Sequence, residues 1–204
     1  MDVQNIWNGV YATKDRQRVG WHSDHLTSSL EYIDALALPP SASLIDLGGG
    51  ASTLVDDLLA RGYKNITVLD LSSIALQISR YRVGQAGDTV SWVAANVLEY
   101  DFPTGPFDLW HDRGVFHFLL EDANRKKYAR IAAGAVKHGG YFLISVFADD
   151  GPETCSGLKV RRHSEQQLED FFAEDFEVVK STRDLRFTPS GAEQRFVVVL
   201  MKRM

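Results

Sequence analysis

Short apolar runs alternate along the chain with segments whose apolar residues have helical spacing, which predicts strands and helices in alternation. Five short apolar runs have the length and content of buried strands, namely residues 43–46, 66–70, 90–94, 107–111 and 141–147. Segments with apolar residues near helical spacing lie beside them, at residues 23–38, 53–61, 73–84, 122–136 and 164–172. Strands that alternate with helices are joined by right-handed crossovers, so the pattern predicts a mainly parallel sheet with helices on both faces.

The last part of the chain changes character. Residues 176–187 and 194–201 are strand-like and flank the turn sequence TPSGA, which predicts a hairpin that adds an antiparallel strand to the sheet. The expected fold class is therefore α/β, with a doubly wound, seven-stranded sheet that is mostly parallel. In such sheets ligands bind beyond the carboxyl ends of the strands, so the residues after each strand are the candidates for function.

Bulk composition narrows the class of protein. The 204 residues suit one domain, with an N-terminal extension at residues 1–22 and a core at residues 23–204. A formal charge of −5 argues against a broad nucleic-acid or anionic-membrane surface, and the single cysteine excludes an internal disulfide. No apolar run suits a membrane span or a signal peptide, so we expect a cytoplasmic protein with no membrane or nucleic-acid partner.

The stretch SLIDLGGGASTL places an acid and three glycines between the first strand and the helix that follows it. The segment from Asp46 to Ser52 fits the pattern D-x-G-x-G-x-S. Glycines let the backbone turn tightly and approach a ligand closely. A phosphate-binding P-loop is excluded because no Lys-Ser or Lys-Thr follows, and a dinucleotide-binding GxGxxG would need a glycine at Thr53.

The acids around this loop indicate the ligand. Asp46 would repel a pyrophosphate but suits a ligand that carries a cation. Asp70, at the end of the second strand, is placed to accept hydrogen bonds from a ribose. A cationic amino-acid end joined to an adenosine describes S-adenosylmethionine. The alternative is that Asp46 only caps the turn and that Asp70 is a surface strand end.

Residues 44–147 resemble the class I S-adenosylmethionine-dependent methyltransferases. Asp46, Gly48 and Gly50 match the first motif of that family, and Asp70 matches its ribose-binding acid. The segments PFDLWHD and GGYFLISVF resemble the fourth and fifth strands, and the final hairpin resembles the reversed seventh strand of the family.

The resemblance implies a Rossmann-like fold, S-adenosylmethionine as cofactor, S-adenosylhomocysteine as product, and no metal. Asn96, in VAANVLEY, takes the place of the residue that faces the adenine amino group, with a backbone contact from Val97. The sequence departs from the family pattern at Ser52, which replaces the third glycine, and at Asn96, where Asp is commoner. The implied cofactor contacts are Asp46, Gly48, Gly49, Gly50, Ser52, Asp70, Leu71, Asn96, Val97 and Asp112.

The segment LWHDRGVFHFLL follows the fourth strand and carries several polar groups. His111 and Asp112 stand at the strand end, so we expect one of them to contact the acceptor or the methionine end of the cofactor, and they are the candidate catalytic residues. His117 is a candidate substrate contact, or else a partly buried histidine bonded to a carbonyl. Arg113 either faces the site or pairs with Asp112.

Two further segments lie where they can cover the site. Trp7, Tyr11 and Trp21 predict an aromatic lid, because aromatic faces attract a sulfonium; the alternative is that they pack on the domain surface. The loop after the fifth strand carries Arg162, which either holds an anionic substrate or is a solvated charge. The same loop carries Cys155, which is more simply a half-buried cysteine than a reactive thiol.

Several hypotheses remain open for the identity of the methyl acceptor. The compact size favours a small-molecule acceptor, and the aromatic start resembles the thiopurine and tellurite-resistance methyltransferases. The segments LDLSSIAL and HDRGVFHFL instead resemble protein-lysine methyltransferases that modify elongation factor or citrate synthase, so a protein substrate is the main alternative. A nicotinamide-dependent oxidoreductase and a catalytically silent cofactor-binding module are the others. The spacing of the histidines indicates no metal site.

Overall fold

The computed structural model describes residues 3–13, 19–188 and 190–204. Residues 1–2 and 14–18 of the predicted N-terminal extension, and residue 189 of the predicted hairpin turn, lie outside the described residues. In the part that is described, no helix is both long and apolar enough to cross a membrane.

A seven-stranded sheet forms the centre of the fold and confirms the predicted α/β class. Its strands are β1 (Ser43–Leu47), β2 (Asn65–Asp70), β3 (Ser91–Ala94), β4 (Phe107–Arg113), β5 (Val136–Phe147), β8 (Phe176–Phe187) and β9 (Glu193–Arg203). Their order across the sheet is β3-β2-β1-β4-β5-β9-β8. Strands β1 to β5 run parallel, and β9 lies antiparallel between β5 and β8, as the hairpin predicted.

The described residues form six α-helices around the sheet and a short hairpin outside it. The helices are α1 (Val3–Thr13), α2 (Thr27–Ala35), α3 (Leu54–Ala60), α4 (Ser73–Val83), α5 (Asp122–Ala135) and α6 (Glu165–Phe172). The hairpin consists of β6 (Thr154–Cys155) and β7 (Leu158–Lys159). Short 3₁₀ segments occur at Gly84–Thr89 and Phe116–Phe118.

The core is split into two layers by the alternation of side chains along the strands. Successive residues of a strand point to opposite faces. On β4, Leu109 belongs to a cluster that includes Ile33 of α2, whereas Trp110 belongs to the cluster that includes Tyr128 of α5. Helices therefore cover both faces, and the carboxyl ends of the parallel strands are left for the functional site.

Three elements differ from the sequence-based expectation. Helix α1 was not predicted, although Val3, Trp7 and Val10 follow helical spacing, because glycine and asparagine are mixed into the segment. Strand β5 begins at Val136, directly after α5, and the expected break at HGG lies inside the strand with Gly139 at φ 75°. The hairpin β6–β7 forms within a segment expected to be a plain loop.

Candidate functional site

A cavity of about 580 Å³ lies at the carboxyl ends of the parallel strands. It extends from Asn96, after β3, to Phe147 and Phe196, on β5 and β9. Neighbouring strands are about 4.8 Å apart, so the cavity spans several strands. We call the part over β1, β2 and β3 the Asp70 half, and the part over β4, β5 and β9 the His117 half.

Most of the predicted cofactor contacts lie around the Asp70 half. Those that line the cavity are Asp46, Gly48, Gly49, Ser52, Asp70, Leu71, Asn96 and Val97. Gly50 does not line it but makes room for one of them, because a Cβ there would lie 2.6 Å from Asp70 Oδ2. The remaining residue of the predicted set, Asp112, is placed elsewhere.

The glycine loop is tied to its neighbours by the backbone. Gly48 adopts a φ of 66° and donates its N–H to the carbonyl of Leu69, 2.7 Å away. A side chain at Gly48 would be strained by that φ and would collide with Val115. The loop is therefore held close to both β2 and the turn after β4, as the sequence pattern predicted for a backbone that approaches a ligand.

Asp46 is held by a buried chain of hydrogen bonds. Its carboxylate Oδ1 accepts from Nδ1 of His111 at 2.7 Å, and Nε2 of His111 shares a 2.9 Å hydrogen bond with the hydroxyl of Ser29 on α2. All three side chains are buried. The second oxygen, Asp46 Oδ2, is also buried but has no hydrogen-bond partner among the described residues. A carboxylate fixed in this way has one oxygen left for a donor in the cavity.

Asp70 is a buried acid with an unusual pKa. Its Oδ1 accepts the N–H of Ser72 at 2.7 Å, which fixes the side chain at the end of β2. Burial raises the pKa of Asp70 to about 7, the hydrogen bond from Ser72 opposes the rise, and the charge of Asp46 adds to it. Asp70 therefore changes charge near neutral pH.

The polar atoms of Asn96 are engaged within their own turn. Its Oδ1 accepts the N–H of Leu98, and its Nδ2 donates to Glu99, both at 3.0 Å. The amide still has a second lone pair and a second N–H. Asn96 lines the cavity together with Val97.

Asp112 does not line the cavity. It follows His111 on β4, so its side chain points to the opposite face of the sheet. There the carboxylate accepts from the hydroxyl of Tyr128 at 2.5 Å and from the N–H groups of Val115 and Phe116. Burial raises the pKa of Asp112 to about 6, against the effect of the Tyr128 hydrogen bond. The structure thus gives Asp112 a place under the turn after β4 rather than in the cavity.

Arg113 lies on the same face as His111 and lines the cavity. Its guanidinium donates to the carbonyl of Trp21 at 2.9 Å. No carboxylate within the described ranges forms an ion pair with it, so the alternative pairing with Asp112 is wrong. Burial lowers the pKa of Arg113 to about 10, and it stays charged at neutral pH. The cavity therefore contains a cation that forms no ion pair in the described chain, and the charge of Asp46 favours its charged form.

Helix α1 lies across the cavity. Gln4 donates to the carbonyl of Leu71 at 3.0 Å, and Asn8 accepts from the hydroxyl of Ser72 at 2.8 Å, which docks the helix beside β2. On its other side, the ring of Trp7 is 5.4 Å from the ring of Phe118. The predicted aromatic residues thus cluster over the cavity rather than elsewhere on the surface.

Tyr11 and Trp21 complete this cover. Trp21 packs edge-on against Trp7 at 5.8 Å and against Tyr11 at 6.2 Å. Burial, with a smaller contribution from the charge of Asp70, raises the pKa of Tyr11 well above its ordinary value. Its hydroxyl therefore stays protonated and is a hydrogen-bond donor at the edge of the cavity.

His117 lines the other half of the cavity. Only 2% of the residue is exposed, and neither ring nitrogen has a hydrogen-bond partner among the described residues, so it is not bonded to a carbonyl. The ring packs against Phe118 at 4.5 Å and Phe147 at 4.9 Å. Burial, with a smaller contribution from the charge of His163, lowers the pKa of His117 to about 3, so the imidazole is neutral at neutral pH.

The loop after β5 contributes Cys155, but not Arg162, to the lining of the cavity. Arg162 donates to the carbonyl of Gly151 and pairs with Glu153 at 3.3 Å, and it does not line the cavity. Cys155 is half-buried and does line it. Within the residues that the structure describes, no group of three or more His, Cys, Asp or Glu side chains is placed to hold a metal ion.

Sequence reasoning missed several residues of the site. Ser29 lay in a predicted helix, and nothing in its spacing indicated that it would bond His111. Phe147 ends the predicted fifth strand, so its position at a carboxyl end was a usable signal. Gln194 and Phe196 enter the cavity from β9, which runs in the opposite direction, and no rule about carboxyl ends selects them.

Comparisons with known proteins agree with this architecture. The family described as "Methyltransferase domain" matches residues 44–140. The human "EEF1A lysine methyltransferase 2" is 22% identical over 98% of this chain and 85% of its own length.

Two solved structures share the fold. One is a Burkholderia thailandensis 1,6-didemethyltoxoflavin-N1-methyltransferase with bound 1,6-didemethyltoxoflavin and S-adenosylhomocysteine, with a TM-score of 0.76, 22% identity, and coverage of 99% of this chain and 87% of that one. The other comes from work on the conversion of a disulfide bond into a thioacetal group during echinomycin biosynthesis. It has a TM-score of 0.81 and 20% identity, and the match covers 98% of this chain and 93% of that one.

Proposed function

Because the chain belongs to the class I S-adenosylmethionine-dependent methyltransferases, we propose that it methylates a small-molecule acceptor bound beneath helix α1. The residues of the Asp70 half fit the cofactor. Asp46 Oδ2 is a buried acceptor without a partner in the described chain, which suits the ammonium of the amino-acid end. The missing Cβ at Gly48 lets the side chain of Val115 pack against the glycine loop, and both residues line the cavity.

Each end of the cofactor has a complementary group in our assignment. Arg113, a cation with no carboxylate partner in the described chain, takes the carboxylate that neighbours the ammonium. Asp70 accepts hydrogen bonds from the ribose hydroxyls, as in other nucleotide-binding sheets of this kind. Asn96 faces the adenine with the N–H and the lone pair that are not used within its own turn. Val97 lies beside it.

The chain's own contribution to the reaction is alignment and exclusion of water. When bound, the cofactor supplies an electrophilic methyl group on a sulfonium. Trp7, Tyr11 and Trp21 cover the site with aromatic rings, which attract a cation and keep water out. Two reactants held in alignment gain an effective molarity that accounts for several kcal/mol of the barrier, roughly 7–11 in the best cases.

The aromatic contact that bridges the cavity is the observation that carries the small-molecule acceptor. Trp7 on α1 meets Phe118 on the opposite wall at a ring distance of 5.4 Å. A small planar molecule fits beneath this bridge, whereas a protein side chain must pass beside it.

A protein-lysine acceptor is the second candidate, and the human EEF1A lysine methyltransferase supports it because the similarity extends over nearly the whole chain. A lysine ammonium needs a carboxylate or another base to lose its proton. Among the described residues that line the cavity, the carboxylates are Asp46 and Asp70, in the cofactor half, and the exposed Glu121. Among the described lining residues, no buried carboxylate lies outside the cofactor half, so a lysine bound beside His117 would use the exposed Glu121 or the neutral imidazole of His117 as its base.

The test offers methyl-labelled S-adenosylmethionine to the protein in a host lysate and separates label in proteins from label in small molecules. Label in the small-molecule fraction supports the proposal. Label in one protein band favours the lysine acceptor. Asp70→Ala, which removes the ribose contact, is the control that shows the label depends on this site.

A further inference from the structure

The His117 imidazole is a buried polar group that makes no contact with the cofactor in our assignment. It lies over β4 and β5, away from the Asp70 half, and both of its nitrogens lack partners in the described chain. Buried polar groups are nearly always hydrogen-bonded, so such a group in a cavity wall indicates a ligand. The carbonyl of His117 accepts the N–H of Arg161 at 2.8 Å, which fixes the backbone that carries the ring.

The charge state of the ring defines which ligand it can bind. A neutral imidazole has one N–H donor and one nitrogen acceptor, whereas the imidazolium only donates. Burial keeps the pKa of His117 far below neutral. His117 therefore offers a donor on one ring nitrogen and an acceptor on the other. These nitrogens point to different sides of the ring, so one polar group of a ligand bonds one of them, either as acceptor or as donor. An ammonium can only donate, so it can bond the acceptor nitrogen alone.

The walls around His117 define the shape of that partner. Phe118 and Phe147 pack against the imidazole, and Phe196 packs against Phe147 at 4.8 Å. Aromatic walls favour flat apolar surfaces, through stacked or edge-on contacts. Apart from Asp46 and Asp70, the charged groups among the described lining residues are Arg113, which the cofactor carboxylate neutralises in our assignment, and the exposed Glu121.

We propose that the His117 half binds an uncharged, planar, heteroaromatic acceptor that forms a hydrogen bond with one nitrogen of the His117 imidazole, either as donor or as acceptor. This inference rests on the proposed small-molecule function and narrows its substrate class. His117 positions the acceptor, while Phe118 and Phe147 hold its plane.

The test uses 2-quinolone as the probe, because it is planar and uncharged and carries an N–H beside a carbonyl. The protein is saturated with S-adenosylhomocysteine, and binding is measured by calorimetry and by the ¹⁵N shifts of labelled histidine. We expect 2-quinolone to bind and to shift the nitrogens of one histidine, whose signals are absent in His117→Phe. We expect affinity at least tenfold lower in His117→Phe, which keeps a flat ring, and near-normal affinity in His117→Asn, which keeps a donor and an acceptor.

Controls separate this proposal from the function it rests on. Affinity for S-adenosylhomocysteine must stay within about twofold in both variants, which shows that the site is still folded. Equal binding of 2-quinolone to the wild type and His117→Phe overturns the role of His117 and leaves a small-molecule acceptor standing. Binding of n-butylamine, a mimic of the lysine side chain, without binding of 2-quinolone overturns both the role of His117 and the small-molecule acceptor. No binding of either probe overturns the proposed class, and the lysate experiment then decides the function separately.

Discussion

Asp46 and His111 face each other across the neighbouring parallel strands β1 and β4, joined by a 2.7 Å hydrogen bond between Oδ1 and Nδ1. Because both side chains are buried, the bond fixes which oxygen of Asp46 is left for the cavity. Ser29 holds the far side of the imidazole, so the orientation of Asp46, for which we propose a contact with the cofactor, is set by helix α2, none of whose residues lines the cavity in the described chain.

His111→Phe is expected to destabilise the protein by about 3–5 kcal/mol, because it leaves the Asp46 carboxylate buried without its partner. Urea unfolding measures the loss. The matched control is Ser29→Ala, which removes only the outer hydrogen bond and should cost about 1 kcal/mol. Equal losses in the two variants would show that the Asp46–His111 bond is not the critical link.

Asp70 should make cofactor binding depend on pH near neutrality. Its pKa of about 7 means that the carboxyl is protonated below that pH and ionised above it. The ionised form accepts hydrogen bonds from both ribose hydroxyls, so we expect the affinity for S-adenosylhomocysteine to rise as the pH increases from 5.5 to 8, tested at roughly half-unit steps. Calorimetry in buffers of different ionisation enthalpy should detect proton release on binding.

The pH dependence of Asp70→Asn provides the comparison. The amide does not titrate, so the variant should bind S-adenosylhomocysteine more weakly and with a nearly flat pH profile. A profile that rises as steeply in Asp70→Asn as in the wild type would assign the dependence to another group.

Arg113→Met should weaken binding of S-adenosylhomocysteine by about 10- to 100-fold, since a hydrogen bond to a charged group contributes about 1.5–3 kcal/mol. The same variant should bind 5′-methylthioadenosine, which lacks the amino-acid end, as well as the wild type does. Calorimetry with both ligands measures the difference. If both affinities fall together, Arg113 supports the fold of the site through Trp21 instead of holding the carboxylate.

Trp7→Ala should speed the dissociation of S-adenosylhomocysteine several-fold, because Trp7 joins α1 to Phe118 across the cavity. Stopped-flow fluorescence of the remaining tryptophans measures the rate. Thr13→Ala alters the same helix at its exposed end, where Thr13 bonds the carbonyl of Gly9, and should leave the rate unchanged. An unchanged rate in Trp7→Ala would argue that α1 packs on the surface without gating the cavity.

Asp112→Asn separates a structural role from the predicted catalytic one. The carboxylate accepts from Tyr128 and from two N–H groups of the turn after β4, so the substitution should lower the free energy of unfolding by about 1–3 kcal/mol. Affinity for S-adenosylhomocysteine should stay within about twofold, because Asp112 does not line the cavity. A large loss of affinity at unchanged stability would return Asp112 to the site.

Local patterns were enough to predict the sheet and the glycine loop. Short apolar runs identified the five parallel strands, because such strands are buried on both faces, and helical spacing of apolar residues identified the helices between them. The hairpin was visible in the same way. Helix α1 shows the limit: its apolar spacing was present, but a short polar helix gains its stability from tertiary packing, here of Trp7 on Phe118.

The end of strand β4 shows a second limit of prediction from sequence. The sequence predicted that His111 or Asp112 would contact the acceptor or the methionine end of the cofactor, but neither residue is among those of the described chain that line the cavity. His111 instead bonds Asp46 and Ser29, and Asp112 bonds Tyr128. These partners depend on how β4 lies between β1 and β5, and that pairing joins residues far apart in the chain.

The sequence by itself determined the class of fold, the loop between β1 and α3, and the acids at the ends of β1 and β2, because each depends on residues adjacent in the chain. Only the tertiary structure decided the partners of those residues: Ser29 against His111, Trp21 against Arg113, and the neutral His117 among phenylalanines from separate strands. The physical reason is that hydrogen-bond satisfaction, burial and charge state depend on what packs around a side chain, and packing brings together residues that no local spacing relates.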